Sequence, residues 1–292
     1  MFTPLCFLIL ASIIAFVGFK CPDATRLEQA DAPLLVVAAS YPGVSAQVVA
    51  DTVATPIDEQ INGVEKLVRI EPTSGSDGRY TAHLYFKPKT DPKAVMKLVQ
   101  RRVALAEPAL PDAVRRNKIS VTVGKAEAGP RKVTIAVIDR PGHGRKELQN
   151  AAAAVLKRVK AKDALIDPQV FPPRDEKQVI IDIDRAKCAS LGVPIDDVFE
   201  AVRAAGSAMK PERLKKVIVR DKVTLGDVAA IKEGYGPSAV YSVNYFPAVR
   251  ITGVPPEGQS VAEAAAKSVD LAEAELKHLG SRGFAVENLS AK

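Results

Sequence analysis

The chain has 292 residues, room for an export or membrane segment followed by two compact domains. Hydrophobic residues make up 47% and charged residues 26%, which allows real cores and argues against disorder, while 5% aromatics and no Trp leave little for a base- or sugar-stacking surface. The formal charge of +7 is scattered along helical stretches (Arg101, Arg102, Arg115, Arg116, Lys157, Arg158, Lys160, Lys162), as on solvated helix faces, and no nucleic-acid module is recognisable.

Residues 1–19 carry no charged side chain, and 5–19 are almost continuously apolar. The start lacks a basic side chain and no small-x-small cleavage site follows. Residues 1–21 therefore predict an uncleaved membrane anchor, with a signal peptide as the alternative. Either places the bulk outside the cytoplasm. Residues 22–33 read as a linker. Three cysteines (Cys6, Cys21, Cys188) are too few and too scattered for a disulfide framework or a zinc site. Lys20 precedes Cys21 where a lipoprotein signal needs a small residue. Cys188 falls at an apolar helix phase and reads as a buried small hydrophobe.

"LLVVAASY" predicts a buried strand, turned by Pro42-Gly43. Ser45 is a plausible N-cap for a helix to about Ile61, with Val48, Val49, Val53, Ile57 and Ile61 on one face and Gly63 as the stop. "VEKLVRIEPTS" and "RYTAHLYFKP" alternate as strands around the turn "GSDG". Asp91-Pro92 opens a helix through Val95, Leu98, Val99 and Val103, and "ISVTVGK" closes a β-α-β-β-α-β order.

A second such run follows. "KVTIAVIDR" is a strand, "RKELQNAAAAVLKRVKAK" a helix, and "PQVFP" and "QVIIDIDR" are strands. "PIDDVFEAVRAAG" is a helix, and "KKVIVRD" and "VTLGDVAAI" read as short strands. "AVRITGVPP", "SVAEAAAKSVDLAEAELKHL" and "FAVENLS" then read as strand, helix and strand. The expected class is α+β: two ferredoxin-like βαββαβ sandwiches with helices on one face of an antiparallel sheet. The expected units are 34–127, and 128–177 with 234–292, the latter interrupted by an α/β insertion at 178–233.

Several motifs in order carry a resemblance. Tyr41-Pro42-Gly43, Ile61-Asn62-Gly63, Ser76-Asp77-Gly78, Thr90-Asp91-Pro92, the Val99-to-Val103 helix and Leu110-Pro111 resemble the first periplasmic porter subdomain of resistance-nodulation-division (RND) multidrug efflux pumps. "VIIDIDRAKCASLGVPIDDVFEAVRAAG" is similar to the start of that family's docking subdomain, and the stretch from "VTLGDVAAI" to "PPEGQSV" to its return into the second porter subdomain. The resemblance implies a porter-like module in the periplasm, held by residues 1–21 in a bacterial inner membrane. Its implied partners are a multi-helix pump subunit or other exporter components, and hydrophobic small molecules. It also implies one site residue: Phe171 in "PQVFPP" stands where the family has a pocket phenylalanine, the competing reading being a core or strand-end plug.

Departures limit what carries over. The family's pumps have many membrane helices with a carboxylate relay. Here there is one candidate helix with no ionisable group in it, so proton coupling by this chain alone is not expected. "AAGSAMKPERLKKVIV" leaves no room for the family's long docking arm, so trimerisation by arm exchange is not expected either.

No arrangement speaks for covalent chemistry. His83, His143 and His278 are widely separated. Asp182 and Asp184 alternate on a predicted strand, and pairing with Arg185 or a lysine is a better reading than a cation site. "DRPGHGRK" is Gly-rich and basic but lacks Walker spacing, and Pro141 favours a plain turn. We expect no enzyme, cofactor, metal or nucleic-acid ligand. The rival functional class is a stand-alone interaction module derived from a split or truncated pump. A hydrolase or metal-binding enzyme on the same fold is a weaker third.

Overall fold

The computed structural model describes residues 32–124, 132–205, 210–280 and 283–290. The expected anchor, most of the linker, Cys6 and Cys21 lie outside these. Among the described residues no helix is long and apolar enough to cross a membrane.

The first unit begins with β1 (Leu34–Ser40), whose residues alternate between half-buried and buried, so that Leu35, Val37 and Ala39 face the core. It is thus a one-faced strand. Ser45 caps the next helix as expected, its hydroxyl accepting from the Val48 amide at 3.4 Å. That helix has three parts: α1 (Ala46–Val49), a π-type turn (Ala50–Ala54) and α2 (Thr55–Ile61). Val49, Val53, Ile57 and Ile61 are fully buried, whereas Val48, expected on the same face, is 39% exposed. A regular α-helix advances by about 40° beyond one turn over four residues, so a strict four-residue spacing would drift off the core. The wider turn compensates for that drift. It also sits just ahead of Pro56, which has no amide to offer the helix ladder.

β2 (Leu67–Gly75) and β3 (Arg79–Phe86) form the expected hairpin, in which Gly78 has φ +77. A Cβ on Gly78 would lie 2.2 Å from the Tyr41 carbonyl oxygen, and the Tyr41 amide donates to the Gly78 carbonyl at 2.7 Å. The Tyr41-Pro42 and Ser76-Asp77-Gly78 motifs are therefore one packed place. Asp91 caps α3 (Pro92–Ala106) by accepting from the Lys93 amide at 3.0 Å. A short helix that the sequence pattern did not reveal, α4 (Asp112–Asn117), leads to β4 (Ser120–Val123). The strands lie in the order β2-β3-β1-β4, all antiparallel, with both helical stretches on one face.

The second unit repeats this plan with β5 (Val133–Asp139), α5 (Arg145–Ala161), β6 (Ile166–Phe171), β12 (Phe246–Val254), α10 (Val261–His278) and β13 (Phe284–Asn288). Its strand order is β13-β5-β12, with β6 on the other edge of β12. Position for position this matches the first sheet. Ser260 and Glu263 close a capping box on α10. Its buried face, Ala264, Ala265, Ser268, Ala272 and Leu276, is small except at its end and packs with α5 above the sheet.

Between β6 and β12 the chain builds a small third body. β7 (Glu176–Ile183) pairs antiparallel with β10 (Ala229–Gly236). Between them run α6 (Arg185–Ser190), α7 (Ile195–Ala205), α8 (Pro211–Leu214), the short β8 (Ile218–Arg220) and β9 (Val223–Thr224), and α9 (Leu225–Val228). Its own core includes Cys188, Val193, Val198, Leu214, Leu225 and Val228. Two expectations need correction here. "VTLGDVAAI" is not one strand: the Asp227 carboxylate accepts from the Thr224 amide at 2.8 Å, and this capping box starts α9. Asp184 is not on the strand face with Asp182. It is the N-cap of α6, accepting from the Ala186 and Lys187 amides, with the Lys187 ammonium 3.7 Å away.

β11 (Ala239–Val243), also not foreseen, decides how the units meet. It pairs with β12 on one side and with the outer edge of β2 on the other. The two sheets thereby become one nine-stranded sheet.

Candidate functional site

The site lies at this seam, on the face of the sheet that carries no helices. The turn from β11 to β12 uses Asn244 (φ 49) and Tyr245 (φ 71), the positive backbone angles of a tight hairpin turn. Asn244 then clips the turn onto the first unit: its amide donates to the Ile70 carbonyl at 2.9 Å and its side-chain oxygen accepts from the Ile70 amide at 3.1 Å. The register of β2 on β3 shifts just before this point, between Leu67 and Arg69. That irregularity accompanies the backbone pair offered to Asn244.

Alternation along β2, β3 and β11 brings four polar or aromatic side chains together on this face. The Tyr241 hydroxyl donates to Glu71 Oε2 at 2.9 Å, with both residues buried, and Arg69 Nε lies 2.8 Å from Glu71 Oε1. The Arg69 guanidinium covers the Tyr85 ring at 4.2 Å from its centroid. Burial, reinforced by the Glu71 charge, pushes the Tyr85 and Tyr241 hydroxyls above their ordinary range, so both remain donors.

Phe171 joins the same cluster. It ends β6 directly across from Arg250 on β12. Its half-buried ring meets Tyr241 edge-on at 5.9 Å, and the Arg250 guanidinium stands 4.6 Å from the Phe171 centroid and 5.4 Å from that of Tyr241. Among the described residues no carboxylate lies within ion-pairing distance of Arg250. Beneath these groups Ala136, Ile138, Val243 and Ala248 form an apolar floor. The arrangement presents the half-buried Phe171, Tyr85 and Arg250 over a buried apolar floor, with no carboxylate beside the Arg250 guanidinium among the described residues. It offers no nucleophile with a base beside it. A recess of about 600 Å³ lies elsewhere, bordered by Lys160, Asp163, Asp167 and Pro256. Its lining is mixed, with Leu165, Ile166 and Pro168 beside the charged groups, and its shape is open.

The other sequence candidates are dispersed. In "DRPGHGRK" the loop amides point inward. The buried Asp139 carboxylate accepts from the Gly142 and Gly144 amides, each at 3.0 Å, and sits 2.9 Å from His143 Nδ1. Burial raises the Asp139 pKa, but these hydrogen bonds outweigh it and hold the carboxyl below its ordinary value. Those donors are therefore not available to a phosphate. His143 stacks on Phe284 at 4.8 Å, His83 is half-buried on β3, and His278 is exposed in the last turn of α10. Cys188 is 1% exposed, inside the third core. Among the described residues no group of three or more His, Cys, Asp or Glu is placed to hold a metal ion.

One polar pair was missed by the sequence reading. The fully buried Tyr80 donates from β3 to Asp58 on α2 at 2.5 Å. Burial raises the Asp58 pKa to about 7, against the lowering effect of that hydrogen bond. A signal was present: Tyr80, Ala82 and Leu84 alternate toward the core, and a buried tyrosine hydroxyl needs a partner.

Residues 3–129 match the AcrB/AcrD/AcrF family. Multidrug export protein AcrF of Escherichia coli K12 is 29% identical over 275 residues, covering 83% of this chain and 26% of AcrF. The chain is thus similar to part of a multidrug export protein, and residues 3–129 carry the family match. Toluene efflux pump membrane transporter TtgB of Pseudomonas putida is 40% identical over 90 residues, 31% of this chain and 9% of TtgB. Multidrug resistance protein MdtF of E. coli K12 is 38% identical over 89 residues, 30% of this chain and 9% of MdtF. The chain thus spans about a quarter of the length of AcrF. The AcrF alignment runs well beyond the family match, in keeping with the resemblance in the second unit.

Proposed function

We propose that the chain is a periplasmic, porter-type part of an RND-type exporter, held in a bacterial inner membrane by residues 1–21. It contacts hydrophobic small molecules and works by binding and conformational change, without covalent chemistry and without proton coupling of its own. The observation that carries this reading is the helix-free face at the seam, where the half-buried Phe171 and Tyr85 lie beside Tyr241 and an apolar floor built from β5, β11 and β12. The names of the relatives, which describe multidrug export and toluene efflux, support it. A proton relay needs ionisable groups inside the membrane, so on this reading the porter module acts with a multi-helix subunit that carries them.

The test is mild-detergent isolation of the full chain from membranes, with mass spectrometry of its companions. Stoichiometric recovery of a multi-helix pump subunit is the expected result. Recovery of the protein alone refutes the exporter role and leaves a stand-alone interaction module.

A further inference from the structure

The seam carries two guanidinium groups and one buried carboxylate. Arg69 and the Tyr241 hydroxyl occupy Glu71, on its two oxygens. Arg250 is left over: a half-buried cation, held by ring faces, with no carboxylate at ion-pairing distance among the described residues. Stacking on Phe171 and Tyr241 fixes the plane of the guanidinium and strips part of its water, while its edge keeps several N–H donors. A fixed, partly desolvated guanidinium beside an aromatic wall suits a carboxylate, sulfonate or phosphate joined to an apolar body. A cationic amphiphile would face an unopposed like charge at the same place.

We propose that this face selects anionic amphiphiles, with Arg250 as the counter-charge and Phe171 as the apolar wall. The proposal rests on the porter reading of the same face and adds the charge class of its ligand. Arg250 is then the residue that determines specificity, and Phe171 contributes to binding of any apolar body, charged or not.

The experiment titrates the full chain in mild detergent with two fluorescent probes that share an aromatic frame, the anionic anilinonaphthalene sulfonate and the uncharged phenylnaphthylamine. Arg250→Gln is expected to weaken the anionic probe about 10-fold and to flatten the salt dependence of its binding, with less than about a twofold change for the uncharged probe. Arg250→Lys keeps the charge and should retain most of the anionic binding, which a purely structural role for the stack would not produce. Phe171→Ala should weaken both probes. Loss of both probes in Phe171→Ala with no effect of Arg250→Gln overturns the charge selection and leaves the porter face standing. If neither substitution moves either probe, both readings fail. Matched thermal melts for each variant exclude a folding defect.

Discussion

Replacing Asp58 by Asn should remove a specific slope from the pH dependence of stability. Asp58 is largely enclosed beneath the seam, and the groups that face it are the hydroxyls of Tyr80 and Tyr245. Among the described residues no cation offsets its charge, so burial dominates and its carboxyl titrates near 7 instead of 3.8. Tyr245 is itself pushed up to about 12, by burial first and by the Asp58 charge second, so neither phenol ionises in the relevant range. The folded state therefore holds the Asp58 proton more tightly than the unfolded chain does. Between the two pKa values the folded state is protonated and the unfolded state is not. Stability from this group is complete below the unfolded value and falls by about 1.4 kcal/mol per pH unit as pH rises. The loss ends once pH passes the folded value, at a total of order 4 kcal/mol, an upper bound for a group that keeps some contact with water. In Asp58→Asn the amide oxygen still accepts from Tyr80 and nothing titrates. The variant should match the wild type near pH 4 and exceed it by up to that amount near pH 8. Urea unfolding followed by far-ultraviolet circular dichroism reads this out, since the chain has no Trp for fluorescence. Parallel profiles for variant and wild type between pH 4.5 and 8 would refute the reasoning.

Further outcomes follow from the same geometry. Gly78→Ala forces a Cβ into the Tyr41 carbonyl at a positive φ, and should cost more than about 2 kcal/mol in chemical unfolding. Tyr241→Phe leaves a buried Glu71 oxygen without its donor and should cost about 1–3 kcal/mol; a cost near zero would mean water replaces the hydroxyl. Val49→Ala should destabilise by about 1–2 kcal/mol while Val48→Ala stays within about 0.5 kcal/mol, which separates the observed helix phase from the regular one. Asp139 behaves oppositely to Asp58. Its depressed pKa contributes stability that is complete above the unfolded value and is lost only as pH falls below about 4. Asp139→Asn has one acceptor oxygen for the Gly142 and Gly144 amides, so it should lower the neutral plateau and flatten the acid limb.

Period and punctuation in the sequence determined the local elements. The two β-α-β-β-α-β runs, the caps at Ser45 and Asp91 and the Gly78 turn could be read directly, because amphipathic spacing and cap chemistry act over a few residues. Phe171 was legible as a candidate through resemblance alone. Its surroundings were not. The strand β11 gave no signal of its own, since "SAVYSV" lies between turn-forming residues and pairs with β12 over two residues only, gaining the rest by meeting the edge of β2. Joining two sheets across some 170 residues, as Ile70 and Asn244 do, depends on contacts that no local pattern encodes. The same holds for Arg250, Tyr241 and Glu71, ordinary strand residues until the shared face brings them together. The π-type turn, too, arose where Pro56 and a four-residue apolar spacing had to be reconciled with one buried face. Short-range chemistry chose the elements, and burial of long-range partners decided which faces they share.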